Sequence, residues 1–575
     1  MFFKQIYEPR LAQYSYLIGC QATGEAMIVD PLRDIEQYIW LAEQKALNIV
    51  QVAETHIHAD FLSGARRLAN ATGAELLLSD EGGDDWQYAF PHQGLRDGDV
   101  FWLGNIRIEA LHTPGHTPEH LSFLLTDAAA AETPGMILTG DFLFVGDVGR
   151  PDLLDIISDE QRVSEQMARR MFASLQKFRA LPDHLLVWPG HGAGSACGRA
   201  LGAVPASTAG YEKRANWALQ ESDEEAFVVR MLAEQPLPPR YFRNMKLWNR
   251  SGEKNSPQSR LPRPLALSEL ERLQEQGVIS VDVRDKRAFA GGHIPGSINI
   301  PNNGLFATWA GWILSPDEPF TLITSAETLP ELVTALYRIG LDDVAGYFPG
   351  VRHWVQAGRQ LASMPQMNAS ELADALAQKR AVAIDVREPY ELHDGFIPGA
   401  ISVPAGRLIR RLRQPDTPRK LVFYCGRGDR SAIVASYLRH LGFENVLSLR
   451  DGIFGWQAAG LEMESPETDL DFEQIDVMTA FHRFERQGWT LIDVREADDF
   501  RRGHPPGARN LPLDDFIDDH VIGTLRELEP LLLICNTGNR SAMAAEWLLD
   551  EGAARLANVA GGVVAWQLHH LPWEK

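Results

Sequence analysis

The chain has 575 residues, too many for one hydrophobic core and enough for about four domains at ~150 residues each. Hydrophobic residues make up 45% and charged residues 23%, ordinary globular values that exclude wholesale disorder. The net charge of −22 argues against nucleic acid or an anionic membrane surface as the main partner, since both reward clustered Lys and Arg.

No apolar run is long enough for a helix that spans a bilayer. The opening segment, MFFKQIYEPR, is interrupted by Lys4, Glu8 and Arg10 and does not read as a secretory signal. Cys20, Cys197, Cys425 and Cys535 are too few and too scattered for a disulfide framework, so a reducing cytoplasm is the expected location.

In chain order, residues 1–250 come first. An apolar strand, Asn48–Thr55, runs into a His-rich loop, and further strands are expected near Arg107–Leu111, Met136–Thr139 and Leu185–Trp188. Each leads to a motif: THIHADF (Thr55–Phe61), TPGHTPEH (Thr113–His120), TGDFLF (Thr139–Phe144) and PGHG (Pro189–Gly192). Imidazole nitrogens and Asp oxygens are the donors that divalent transition metals bind, and alternate side chains of H-x-H-x-D can converge on one point. Glycine beside His116, Asp141 and His191 lets backbone approach closely.

These four stations resemble the metallo-β-lactamase superfamily, whose pattern is H-x-H-x-D-H followed by His, Asp and His. The resemblance implies an αββα sandwich over residues 1–250. Members with two metals use the sixth motif residue for the second ion, and here that residue is Phe61, which cannot donate; one metal is expected. Among single-metal branches the sequence is similar to the persulfide dioxygenases (sulfur dioxygenases), also through GDVGRPDL (Gly146–Leu153), GYEKRANWAL (Gly210–Leu219) and YFRNMKLWN (Tyr241–Asn249). That likeness implies one Fe(II) held by His56, His116 and Asp141, with His58, Asp60 and His191 behind them. Three ligands on one face leave room for O₂ and a sulfur anion. The residues alone leave open a His56/His58/His116 set that would suit zinc. Cys197, six residues beyond His191, is a candidate to carry or orient a persulfide, whereas Cys20 is expected in the core. Arg150, Lys213 and Arg214 are candidates for a basic pocket that receives the thiol carrier.

The second half is repetitive. The triplet DVR begins at Asp282, Asp385 and Asp493, intervals of 103 and 108 residues, and is followed by HIPG, FIPG or HPPG and then by Gly-x-x-x-Trp ending at Trp354, Trp456 and Trp566. Three domains with their own cores are expected, at 264–362, 366–463 and 469–575, joined by linkers at Ser251–Pro264, Ser363–Gln366 and Glu464–Thr468. In the second copy a helix (Ser370–Lys379), a strand (Ala381–Val386), a Gly-Pro turn, a strand (Leu421–Cys425), a helix (Ser431–Leu441) and a strand (Val446–Leu449) indicate a parallel α/β sheet. The DVR triplets read as strand-end charges that brace neighbouring loops.

CGRGDRS (Cys425–Ser431) and CNTGNRS (Cys535–Ser541) place a Cys at the end of a buried strand, ahead of a tight loop and a helix. Loop N–H groups at a helix N-terminus stabilise a thiolate and so make a cysteine nucleophilic. Arg430 or Arg540 could fork onto an oxyanion, with Arg427 as a further contact in the first loop. The repeats resemble the rhodanese (sulfurtransferase) domain. The first departs from it: the positions corresponding to Cys and Arg are Ile323 (or Thr324) and Thr328, so this copy is expected to serve packing or dimerisation.

Together the two resemblances imply oxidation of a low-molecular-weight persulfide (of glutathione, coenzyme A or a similar thiol) by O₂ to sulfite, coupled to sulfane-sulfur transfer that makes thiosulfate. A homo-oligomer is expected. The alternatives are a zinc-dependent thioester hydrolase of the glyoxalase II type and a sulfur-relay scaffold without oxygenase activity.

Overall fold

A computed structural model describes residues 1–152, 163–198, 201–232, 238–252, 261–411, 418–464 and 472–574. Leu153 and most of the linkers expected at 251–264 and 464–468 lie outside the described residues. The chain forms two compact units. The first comprises Met1–Arg263 with Asn302–Pro319 and Ala326–Ala345; the second comprises Pro264–Pro301, Phe320–Ser325 and Gly346–Lys575.

The first unit is built on two six-stranded sheets. One runs in chain order, β1 (Phe2–Glu8), β2 (Gln13–Cys20), β3 (Glu25–Val29), β4 (Asn48–Ala53), β5 (Glu75–Ser79) and β6 (Gln93–Leu95). The other joins β7 (Val100–Leu103), β8 (Ile106–His112), β9 (Leu121–Asp127), β10 (Met136–Gly140), β11 (Leu186–Pro189) and β12 (Ser207–Thr208), again in order. Alternation along β9 decides which core each residue enters. Phe123 and Leu125 join Tyr16, Ile18, Met27 and Val29, while Leu124 joins Met171, Leu175 and Phe178 of the helix Val163–Arg179. Cys20 belongs to the first of these cores.

The four motifs leave the same ends of their strands. The parallel β10 and β11 align Gly140 with Pro189, and the Gly190 N–H donates to the Gly140 carbonyl at 2.7 Å, which sets Asp141 and His191 side by side. A Cβ on Gly190 would lie 2.5 Å from Asp141 Oδ1, so only glycine permits this approach. The loop after β4 is tied in by Leu121 N–H to the Thr55 carbonyl at 2.7 Å.

Two helices of the first repeat, Phe306–Ile313 and Leu329–Arg338, belong to this unit. Gly311 packs on the ring of Tyr241, and Arg338 reaches Glu8 and Asp34, each at 2.7 Å. The Arg338 carbonyl accepts the N–H of Leu62, which directly follows the first metal motif, at 2.7 Å. The repeat without a nucleophile therefore contributes packing here.

In the second unit the repeats form three sheets. The first has the order β14 (Ile298–Asn299), β13 (Ile279–Asp282), β15 (Phe320–Ile323), β16 (Val344–Phe348). The second has β17 (Gln366–Met367), β21 (Val446–Leu449), β20 (Lys420–Tyr424), β18 (Ala381–Asp385), β19 (Ile401–Ser402). The third repeats that order with β22 (Glu473–Ile475), β26 (Leu556–Val559), β25 (Leu531–Ile534), β23 (Thr490–Asp493), β24 (Arg509–Asn510). The pairs within the second and third sheets are parallel.

The DVR triplet does one job three times. Arg284, Arg387 and Arg495 each pair with the strand-end Asp two residues earlier at 2.6 Å, and donate to Gly292, Gly395 and Gly503 carbonyls in the following turn. Element bounds move by a residue or two where caps decide them. The helix expected from Ser370 is Ala369–Ala377 because Asn368 and Glu371 exchange capping hydrogen bonds.

Candidate metal centre and cysteine loops

Each expected metal ligand is held by the atom that would not face an ion. Thr55 Oγ1 donates to Asp30 Oδ2 at 3.0 Å, so it accepts the Nδ1–H of His56 at 2.9 Å. His116 Nδ1 donates to the Arg150 carbonyl at 2.9 Å. Both rings therefore keep a lone pair on Nε2. Asp141 Oδ1 accepts from His191 Nδ1 at 2.7 Å. One buried atom of each residue remains without a hydrogen-bond partner: His56 Nε2, His116 Nε2 and Asp141 Oδ2. These converge, with Asp141 Oδ2 lying 3.8 Å from His56 Nε2 and 3.6 Å from His116 Nε2. An unmet buried polar atom costs about 1–3 kcal/mol. Three of them aimed at one point form a cation site, and the donor set fits a divalent metal.

The electrostatics agree with that geometry. Burial, with neighbouring imidazoles, pushes the pKa of His56 well below its usual value; burial and the nearby Lys246 charge do the same to His116. Both rings are neutral, as a ligand must be. His120 sits behind them, accepting the Asp141 N–H at 3.1 Å on a ring that burial lowers to about 3.

His58, Asp60 and His191 behave differently. His58 Nε2 turns onto Asp30 at 3.1 Å; burial opposes its charge, but Asp30 and Glu54 outweigh it and lift the ring to about 9. The convergent three-donor cluster is therefore His56, His116 and Asp141 rather than three histidines. His191 bridges two carboxylates, Nδ1 to Asp141 at 2.7 Å and Nε2 to Asp60 at 2.8 Å. Burial opposes its protonation, yet Asp141 and Asp60 raise it well above the ordinary range. An imidazolium that donates from both nitrogens has no lone pair for a metal.

Cys197 comes close to this pair: its sulfur and the nearest Asp60 and His191 ligand atoms lie within 4.8 Å of one another. Burial, reinforced by Asp60 and Asp141, pushes the thiol well up and keeps it neutral. In this second three-donor group the two ring nitrogens of His191 are committed to carboxylates. Phe61 is fully buried, its ring 4.3 Å from that of His58.

Three residues that sequence reasoning did not single out shape the site. Asn249 donates to the His58 and Phe61 carbonyls at 2.9 and 2.8 Å and accepts the Ser63 N–H at 2.9 Å, bracing the whole ligand loop. Glu119 accepts the Ile57 N–H at 2.8 Å. Lys246 is only 3% exposed, lies 4.5 Å over the Trp86 ring, and its ammonium has no hydrogen-bond partner. Burial lowers its pKa to about 8, while Glu119, Cys197 and Asp152 are close enough to be felt.

The basic pocket expected from Arg150, Lys213 and Arg214 does not form. Arg150 is 1% exposed and forks onto Asp152 at 2.8 and 2.6 Å. Lys213 and Arg214 both pair with Asp183, at 2.7 and 3.6 Å. Arg150 is neutralised inside the fold, Lys213 and Arg214 share the exposed Asp183, and Lys246 is a further buried cation whose charge is felt at His116.

In the second unit, Cys425 and Cys535 are buried at the ends of β20 and β25. The Gly428 N–H donates to Cys425 Sγ at 3.1 Å, and the Gly538 N–H to Cys535 Sγ at the same distance. The Ser431 and Ser541 hydroxyls add longer contacts of 3.9 and 3.4 Å. The helices Asp429–His440 and Asn539–Asp550 begin just after these glycines, so backbone N–H groups favour negative charge on sulfur. Arg430 is turned away from the oxyanion role expected for it: its two terminal nitrogens fork onto Glu391 at 2.6 and 2.7 Å. Arg427 lies 5.8 Å from the Phe454 ring, and Arg540 is buried with its charge felt by Glu496. In the first repeat Ile323 ends β15, followed by Thr324, and Thr328 precedes the helix Leu329–Arg338; none offers a nucleophilic sulfur.

Comparison with known proteins places these features. Residues 9–191 match the metallo-beta-lactamase superfamily, and residues 266–357, 368–459 and 480–569 each match the rhodanese-like domain. A solved metallo-beta-lactamase from Staphylococcus aureus subsp. aureus COL is 44% identical; the similarity covers 61% of this chain and 99% of that one, with a TM-score of 0.56. The chain belongs to the metallo-beta-lactamase superfamily. To that domain it adds three rhodanese-like domains. Within the superfamily, a hydroxyacylglutathione hydrolase from Polaromonas sp. is 35% identical over 180 residues, 31% of this chain and 61% of the hydrolase. The persulfide dioxygenase ETHE1 of Bos taurus is 29% identical over 192 residues, 33% of this chain and 67% of the dioxygenase. The chain thus spans only about three fifths to two thirds of the length of these curated relatives. No helix among the described residues is long and apolar enough to cross a membrane.

Proposed function

We propose that the N-terminal domain oxidises low-molecular-weight persulfides with O₂ at one Fe(II) held by His56, His116 and Asp141, and that the rhodanese-like domains transfer sulfane sulfur through Cys425 and Cys535. The overall oxidation balances as R–S–SH + O₂ + H₂O giving R–SH, sulfite and two protons. The observation that carries the reading is the convergence of two imidazole nitrogens and one carboxylate oxygen, each orphaned and buried. Iron held by these three residues would supply the redox chemistry that joins O₂ to sulfur. The relatedness to persulfide dioxygenases supports this choice of metal and substrate.

The chain's own residues then have defined tasks. Thr55 and the Arg150 carbonyl hold the His56 and His116 tautomers. His191 clamps Asp141 through Oδ1, leaving Oδ2 for the ion. Lys246 attracts the anionic persulfide of glutathione, coenzyme A or a similar thiol. In the second unit a Cys425 thiolate attacks the outer sulfur of a persulfide, forming Cys–S–SH and releasing the thiolate R–S⁻. Sulfite then takes that sulfur as thiosulfate, the persulfide proton is released, and the Cys425 thiolate is restored. Loop amides, rather than Arg430, hold the developing charge, because Arg430 is committed to Glu391.

A second reading, zinc-dependent thioester hydrolysis of the glyoxalase II type, draws on the hydrolase relative. The two readings part on one experiment. The chain loaded anaerobically with Fe(II) is mixed with glutathione persulfide in an oxygen electrode, and the zinc-loaded chain with S-lactoylglutathione. The proposal requires O₂ uptake with equimolar sulfite from the first. Thioester cleavage by the second, without O₂ uptake by the first, would replace it with the hydrolase; silence in both would leave a sulfur relay.

A further inference from the structure

The repeat without a nucleophile does more than pack. In the second unit its residues Lys286 and Arg287, just after the DVR triplet, reach the Cys425 loop of the next repeat. Lys286 Nζ donates to the Arg427 carbonyl at 2.6 Å and pairs with Asp429 Oδ1 at 3.0 Å. Arg287 pairs with Asp451 at 2.5 Å. The junction is well built around them: the Asn299 N–H donates to Ser436 Oγ at 3.0 Å, and His440 bonds to the Gly296 carbonyl at 2.8 Å.

The target of Lys286 is informative. The Arg427 carbonyl and the Gly428 N–H belong to one planar peptide group. That N–H is the one directed at Cys425 Sγ, at 3.1 Å. Gly428 has φ = +90°, a conformation that glycine adopts without steric cost and that turns its N–H towards the sulfur. A cation on the oxygen fixes the plane and draws electron density from the nitrogen, which makes the N–H a stronger donor to sulfur. The salt bridge to Asp429 pins the residue on the other side of Gly428.

The residues corresponding to Lys286 and Asp429 differ at the Cys535 loop. Position 389, which corresponds to Lys286, is Pro; position 539, which corresponds to Asp429, is Asn. The second junction instead carries Arg407 paired with Glu496 and Arg419 paired with Glu551. We propose that Lys286, supplied by the nucleophile-free repeat, is a positioning residue that fixes the Arg427–Gly428 peptide against Cys425 and makes Cys425 the more reactive of the two loop cysteines. This rests on the reading of Cys425 as a nucleophile, and gives the repeat without its own cysteine a task at its neighbour's loop.

The test is site-resolved alkylation of the full-length chain by iodoacetamide, read by mass spectrometry at Cys425 and Cys535 over a range of pH. Lys286→Met is expected to slow Cys425 at neutral pH about fivefold and to displace its pH profile to the alkaline side, with Cys535 unchanged. Lys286→Arg should restore the rate, and Asp429→Asn should reproduce part of the loss from the other side of the clamp. Circular dichroism establishes that the variants fold. An unchanged Cys425 rate and profile in folded Lys286→Met, or equal slowing of both cysteines, would overturn the proposal. Sulfur transfer is assayed separately: if Cys425→Ser transfers sulfur as well as wild type, the reading of Cys425 as the transferring nucleophile fails and Cys535 carries the transfer, while the alkylation result still decides the clamp.

Discussion

Asn249 offers a sharp test of how the metal loop is held. Its side chain makes three hydrogen bonds to backbone atoms of His58, Phe61 and Ser63, at 2.8–2.9 Å, from a helix far away in sequence. Each such bond contributes about 1 kcal/mol net, and each buried group left unmet costs about 1–3 kcal/mol. Asn249→Ala therefore loosens the loop by roughly 3 kcal/mol before water or local movement recovers part of it. Groups that orient metal ligands typically contribute 10–100-fold to metal affinity, or about 1.4–2.7 kcal/mol. The expected result is a fall of that size in Fe(II) affinity, measured anaerobically by competition with a chromophoric chelator. Asn249→Asp should be at least as damaging although it keeps the shape, because it turns a donor towards two carbonyls into an acceptor. A folded Asn249→Ala chain that binds iron within twofold of wild type would refute the reasoning.

Other consequences follow from the same sites. Cys425→Ser should remove most sulfur transfer to sulfite while leaving persulfide-dependent O₂ uptake largely intact, and Cys535→Ser should have the smaller effect; the reverse order would make Cys535 the main carrier. Lys246→Met should raise KM for an anionic persulfide about tenfold with a smaller change in kcat, as expected when one buried charge partner is removed. Because burial holds Lys246 near about 8, its ammonium is lost as pH rises through that value, so wild-type KM should climb above pH 8 and the variant's rise should be absent. A KM that is flat across that range would exclude Lys246 from substrate binding.

Much of the candidate site was legible because its residues stand at strand ends, where a motif and its geometry coincide. His56, His116 and Asp141 occupy such positions, and Phe61 stands where the pattern of the resembling superfamily has a histidine. The Cys425 and Cys535 loops were legible for the same reason: strand, Cys, Gly and helix follow within a few residues. What stayed hidden depends on contacts between distant segments. Lys246 and Asn249 reach the metal loop only because the helix Phe242–Ser251 is folded over it. Arg430 looked free to bind an oxyanion because Glu391, its partner, lies 39 residues earlier in a short turn of 3-10 helix. Arg150 was misjudged because Asp152, two residues on, takes up its charge. The first repeat read as a spacer since its missing cysteine is local information, whereas the reach of Lys286 into the next repeat is not.

The central claim is a single redox-active ion, and diffraction at the iron absorption edge addresses it most directly. Crystals of the iron-loaded chain should show one anomalous peak, in ligand contact with His56 Nε2, His116 Nε2 and Asp141 Oδ2, with His191 still bridging Asp141 and Asp60. Two neighbouring peaks sharing Asp141, the second held by Asp60 with His191 or Cys197, would contradict the account.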